Sequence, residues 1–140
     1  MPVSGIWYNE LGSMMELFVD GASITGIYQT KVGDASGSYQ LVGSIDIDGD
    51  PNGNGQAIAW VVVWTNQLAG SSHSITAWSG QYQIFDGQEE IETLWLLTSE
   101  SPANSDWAST QINKDVFTRN EPSQEAIIKA QKKRIPAHPL

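Results

Sequence analysis

The chain has 140 residues, no cysteine, six Trp and thirteen Gly, and a formal charge of −9. That length fits one domain with a worthwhile core, the lack of cysteine excludes disulfides and thiol chemistry while leaving the redox compartment open, and no apolar run approaches the roughly 18 residues of a membrane-spanning helix. The charge is unevenly placed, −11 over residues 1–119 and +2 over residues 120–140, and so acidic a body argues against nucleic-acid binding, which needs cationic surface.

Met1 leads directly into Pro2-Val3-Ser4-Gly5 with no basic and apolar leader, so a leaderless or already matured chain is expected. Ser4–Asn9 then reads as a first strand and Met14–Val19 as a second. Asp20-Gly21 is a two-residue hairpin signal, since a tight turn needs positive φ and Gly supplies it cheaply. Ser23–Lys31 follows, then a Gly-, Ser- and Asp-rich loop, and Tyr39–Asp46 as a fourth strand. The segment from Asp46 to Gly55 places Asp46, Asp48 and Asp50 at the spacing of a calcium loop. Pro51 stands where that loop needs Gly, however, and Ala57 where it needs a bidentate Glu. A connection capped by Asx turns is therefore expected, with no metal.

Gln56–Asn66 is the most apolar strand. Ser72–Ile84, Glu90–Ser99 and Ala108–Arg119 complete a set of eight. Eight alternating segments with short connections predict an all-β protein, an antiparallel up-and-down barrel over residues 1–119 that leaves no free edge and can hold one small ligand. A two-sheet sandwich is the alternative. Residues 120–140 form a short C-terminal extension, with a helix expected over Glu121–Gln131, where Ala126, Ile127 and Ala130 make a narrow apolar stripe.

Within the strands one pattern recurs. Ser72, Ser74, Thr76 and Trp78 project from one face of an extended segment, because strand side chains repeat every second residue. The same mixture of hydroxyls, amides and indoles shares a parity in Trp7, Asn9, Leu11 and Ser13, in Tyr28, Thr30 and Val32, in Thr93, Trp95 and Leu97, and in Asn113 and Asp115. A purely structural interior would hold aliphatic groups there, since a buried hydroxyl without a partner costs roughly 1–3 kcal/mol. Convergent polar groups between aromatic walls suit a specific small molecule.

The stretches Trp7-Tyr8-Asn9-Glu10-Leu11-Gly12-Ser13, Gly26-Ile27-Tyr28, Val32-Gly33-Asp34, Ala59-Trp60, Ser72–Gln81, Trp95-Leu96-Leu97-Thr98-Ser99 and Trp107–Thr118 occur in an order that resembles the biotin-binding avidins, with streptavidin and the fungal tamavidins nearest in pattern. The resemblance implies that biotin is bound as a ligand, with no cofactor. Asn9, Ser13 and Tyr28 would donate to the urea oxygen, and Thr30 and Asp115 would accept from the urea N–H groups. Ser74 and the backbone N–H of Asp34, beside Gly33, would hold the valerate carboxylate, with Ser72 a less direct match. Thr76 would meet the ring sulfur, while Trp64, Trp78, Trp95, Leu11, Val32 and Leu97 would pack around the bicycle.

The same resemblance implies a homotetramer, or a dimer as the lesser assembly, with Trp107 reaching a neighbouring subunit's site. Leu94, Ile112 and Lys114 match subunit-contact positions, and a Lys there would repel its own symmetry mate. Sequestering the vitamin as a defence is what the family suggests. An enzyme is not expected, because His73 and His138 are the only histidines and no nucleophile turn accompanies them. Tyr8, Trp60 and Tyr82 read as structural, and His73, on the opposite parity from Ser74, as packing or surface.

Overall fold

The computed structural model describes residues 2–30, 37–66 and 70–133, excluding the side chains at 66, 70–72 and 106–108. Eight strands, β1 (Gly5–Asn9), β2 (Met14–Asp20), β3 (Ser23–Gln29), β4 (Ser38–Ile45), β5 (Gln56–Asn66), β6 (Gly70–Phe85), β7 (Gln88–Ser99) and β8 (Thr110–Thr118), form a closed barrel in sequential order. Every neighbouring pair is antiparallel, and β8 closes on β1 through Tyr8↔Thr118 and Asn9↔Phe117. The sandwich alternative is thereby excluded. A 3₁₀ helix over Ala103–Ala108 precedes β8, and one α-helix, α1 (Gln124–Lys133), follows it.

The expected strands hold, with shifted ends. The second strand continues to Asp20, which pairs with Ser23, so the tight loop is Gly21-Ala22 rather than Asp20-Gly21; Gly21 supplies the positive φ of 62°. β6 and β7 extend toward each other as far as Phe85 and Gln88 and leave only Asp86-Gly87 between them, at φ 53° and 76°. Two consecutive positive φ values are the requirement of the hairpin turn that matches strand twist. Ala108 belongs to the 3₁₀ turn, not to the last strand. The tail helix starts later than expected, because the Ser123 hydroxyl accepts from the Ala126 N–H at 3.1 Å and so makes Ser123 the N-cap. Pro122 consequently lies before the helix.

The connection after β4 is built from Asx turns: Asp46 Oδ1 accepts the Asp48 N–H and Asp50 Oδ1 the Asn52 N–H, each at 3.0 Å. Gly80 lets β6 and β7 approach, since a Cβ there would collide with the Glu92 carbonyl.

Inward side chains follow the strand alternation, as in β7, where Ile91, Thr93, Trp95 and Leu97 are buried and the residues between them are not. The interior divides into two halves. Toward the end carrying the β2–β3, β4–β5 and β6–β7 connections, the lower end, the core is Trp7, Leu17, Ile24, Ile45, Ile58, Trp60, Tyr82, Ile91 and Phe117. Toward the upper end the buried residues become mixed.

Candidate ligand-binding site

The site begins where β1 ends. Asn9 is 2% exposed, and the chain turns back over its side chain. Asn9 Oδ1 accepts the N–H groups of Leu11 at 3.0 Å and Ser13 at 2.9 Å, while the Asn9 N–H donates to the Ser13 carbonyl at 3.0 Å. Gly12, at φ 86°, permits the turn. Both acceptor positions of the amide oxygen are thereby used, which fixes the amide orientation and presents Nδ2 as the donor. Nδ2 points to Tyr28 Oη at 3.4 Å. Glu10 anchors the same turn to β8, its Oε2 accepting the Val116 N–H at 3.2 Å.

Tyr28 and Ser13 are fully buried, and Thr30 is nearly so. Tyr28 is held edge-on to Trp64, ring centroids 5.7 Å apart, and tilted against Trp78 at 5.1 Å. Trp64 donates its Nε1–H to Thr76 Oγ1 at 2.8 Å. Asp115, fully buried, accepts the Trp78 Nε1–H on Oδ2 at 3.0 Å, and its main-chain carbonyl accepts the Thr93 hydroxyl at 3.0 Å. The carboxylate is thus oriented against the Trp78 wall through Oδ2. Leu11, Ser74, Trp95 and Leu97 are all buried at the same end.

The structure therefore gathers Asn9, Leu11, Ser13, Tyr28, Thr30, Trp64, Ser74, Thr76, Trp78, Trp95, Leu97 and Asp115 in one half of the interior. Val32, Gly33 and Asp34 lie outside the described residues, as do the side chains of Ser72 and Trp107. The even alternation expected from Ser72 onward needs one correction. The β5–β6 register shifts between Val63 and Thr65, and His73 takes φ 52°, so a bulge separates Ser72 from the regular strand that begins at Ser74. His73 is exposed, with its ring 3.9 Å from Glu100.

Several supporting residues had no such signal in the sequence. Tyr39, 3% exposed, packs edge-on against Trp64 at 5.1 Å, and only its inward parity on β4 hints at this. Trp60 lies under Trp78, nearly parallel at 5.7 Å, and so extends the aromatic wall into the lower core. The Glu10 contact to β8 spans 106 residues, and no local pattern announces it. Buried indole nitrogens without a partner among the described residues occur on both Trp60 and Trp95. Because Trp60 belongs to the structural core, the same state at Trp95 is no mark of a ligand.

At the lower end, Arg119 donates to Glu89 through Nε at 3.1 Å and Nη2 at 3.2 Å, and to the Ile6 and Pro2 carbonyls. Its guanidinium lies 3.8 Å from the centre of the Trp7 ring. Tyr82 Oη donates to Glu89 Oε1 at 2.8 Å. Burial pushes the Tyr82 phenol well above its ordinary range, and the Glu89 hydrogen bond and charge add to this. Burial also pushes the Glu89 carboxyl up, but the hydrogen bonds from Arg119 and Tyr82 and the Arg119 charge outweigh it, and the net direction is down. These groups seal the barrel and are remote from Asn9 and Asp115.

The model of the Avidin family matches residues 1–120. The chain belongs to the avidin family. Avidin of Gallus gallus is 29% identical over 128 residues, covering 88% of this chain and 81% of that protein. Membership and the barrel together support biotin binding in general, and the homologues in this family are binding proteins. The avidin-family match ends at the start of the tail, so α1 lies outside it.

Proposed function

We propose that this avidin-family barrel binds biotin at its upper end with the contacts the resemblance implies. The observation that carries the proposal is the preset orientation of its polar atoms. Asn9 is locked by Leu11 and Ser13 so that Nδ2 donates, and Tyr28 Oη lies beside it. With the Ser13 hydroxyl, these would converge on the urea oxygen and favour its charge-separated form, as fixed donors favour an oxyanion. Asp115 would accept one urea N–H on the carboxylate that Trp78 already orients, and Thr30 the other. Ser74, with the Asp34 N–H, would hold the valerate carboxylate, and Trp64, Trp78 and Trp95 would enclose the bicycle. The Asn9 amide, the Trp64 ring and the Asp115 carboxylate are already oriented by their own hydrogen bonds, which lowers the cost of binding.

Assembly is part of the proposal. Leu94, Leu96 and Ile112 are 57%, 48% and 61% exposed, and Leu96 lies opposite Ile112 on the outer face of β7 and β8. So clustered an apolar face suits burial against a second copy, toward a homotetramer in which Trp107 reaches the neighbouring site. The repulsion expected of Lys114 is reduced within its own subunit, because Lys114 Nζ lies 3.7 Å from Glu92 Oε1. Trp107→Ala should then weaken both assembly and biotin retention, read by sedimentation and by biotin dissociation. A loss of retention with assembly unchanged would place the Trp107 side chain within its own site.

Thermal melting tests the main reading. Free biotin at a hundredfold excess over Kd stabilises the folded state by about 2.7 kcal/mol, so the Tm should rise by several degrees. A Tm indifferent to biotin would dismiss the proposal.

A further inference from the structure

The tail helix α1 is left uncovered by the barrel. None of its residues is buried, and it makes no more than marginal contact with any strand. Ile128 is 43% exposed, and Ile127 and Ala130 share one side of the helix. Lys129, Lys132 and Lys133 crowd its second half, on a segment of net positive charge attached to a body of net −11. A helix of ten residues is marginal alone in water and normally owes its stability to an apolar face packed on something.

The same end of the barrel carries a vacant surface of opposite character. A cavity of about 450 Å³ lies between the tip of the β6–β7 hairpin and the 50–55 loop, bordered by Phe85, Asp86, Gln88, Glu90, Gln83 and Asn52. Phe85 stands 82% exposed on its rim. The floor is rigid, because Pro51 is tied to β6 through the Ile84 N–H at 2.7 Å and Asp86-Gly87 form a tight turn. An aromatic rim with Asp86 and Glu90 beside it is the chemical complement of a short apolar stripe flanked by lysines.

We propose that this groove receives α1 of a second copy of the chain, reciprocally, so that two barrels join at their lower ends by exchange of tails. A second copy, not the chain's own helix, is the occupant because the exit from β8 is fixed. Arg119 is held by Glu89, Ile6 and Pro2, Ser123 caps the helix only four residues later, and α1 so directed lies off its own barrel. Ile127 and Ala130 pack on Phe85, and Lys132 and Lys133 face Asp86 and Glu90. The contact is isologous, so it closes at two copies. It is separate from the outer β7–β8 face and from the biotin site, and stands or falls independently of both.

The chain has no native cysteine, which makes crosslinking clean. Full-length protein carrying Gln88→Cys with Ala130→Cys, treated with a short bismaleimide, is expected to give a covalent dimer on a denaturing gel, and neither single variant should. Reversing Lys132 and Lys133 to Glu in that background should lower the dimer yield about tenfold, as should high salt. Monomer alone, or dimer formed equally by a single-cysteine variant, overturns the proposal. Biotin binding measured on the same samples is expected to be unchanged, and its loss would report a folding defect to be resolved with Phe85→Ser, which leaves both cysteine sites intact and should itself abolish the crosslink.

Discussion

The two halves of the barrel interior come from the same strands, yet they follow different rules. On β1 the inward residue changes from Trp7 to Asn9, on β8 from Phe117 to Asp115, and on β3 from Ile24 to Tyr28, with Thr30 just past the strand's end, as the upper end is approached. In the lower half rings lock one another, Trp60 edge-on to Phe117 at 5.5 Å and Trp7 edge-on to Tyr82 at 5.8 Å, and the end is closed by Arg119. In the upper half hydrogen bonds set orientation, Trp78 to Asp115 and Trp64 to Thr76, and the amide of Asn9 is held by its own turn. Burying that many polar groups forfeits stability that an aliphatic interior would have supplied. The lower half supplies the rigidity on which the upper half's geometry rests.

If that division is right, stability and ligand affinity should respond to different residues. Phe117→Ala removes a fully buried ring from the lower core and should cost about 3–5 kcal/mol of stability in urea unfolding. The biotin-induced rise in Tm should survive in whatever protein remains folded. Asp115→Ala should do the converse. Its loss removes a charge-assisted acceptor worth about 1.5–3 kcal/mol, a roughly tenfold to hundredfold faster biotin dissociation, while the barrel still folds. Equal dissociation rates for the variant and its parent would show that Asp115 serves the fold instead.

How much of this was legible in the sequence depended on the range of the interaction. Strand parity is local, so the inward set Trp7, Asn9, Thr93, Trp95 and Asp115 could be read from alternation. The eight strands followed from turn residues in the same way. Family resemblance implies roles that parity cannot distinguish, such as those proposed for Thr76 and Thr30. Contacts between strands had no local signature: Glu10 reaches Val116 only because β8 closes on β1, and Trp60 stacking on Trp78 and Glu89 bridging Tyr82 and Arg119 depend on the register of neighbouring strands. The bulge at His73 was missed for a related reason. A period of two assumes an unbroken ladder, and the register shift opposite Trp64 breaks it. The Asp86-Gly87 turn, by contrast, was plainly written in the chain and calls for longer flanking strands than alternation alone suggested.

A subtler variant sharpens the boundary between the halves. Thr76→Val keeps the shape but removes the acceptor of the Trp64 indole N–H. A buried donor left without its partner costs about 1–3 kcal/mol, so unfolding should move by that amount. Biotin dissociation should also quicken, because Trp64 loses the bond that holds its ring in place. A change in stability with no change in dissociation would assign the Trp64–Thr76 bond to the structural half.

The smallest effect expected is at the seal of the lower end, and its sign follows from the direction of one shift. Glu89 is held below its ordinary range in the folded chain, so the folded state binds its proton more weakly than the unfolded state does. Its contribution is therefore complete above the unfolded carboxyl value, about pH 4, and declines as the pH falls through the lower folded value. Urea midpoints between pH 6 and pH 3 should drop for the parent, and Glu89→Gln should drop less over the same interval, since the titrating partner of Arg119 is gone. The pair is about a quarter to a third exposed, with side chains at 26% and 30%, so the difference between the two curves should be modest. Biotin affinity should follow neither curve, because Glu89 lies at the opposite end from Asp115. Parallel midpoints for parent and variant across that range would mean that Arg119 holds the N-terminal carbonyls of Pro2 and Ile6 without help from the carboxylate.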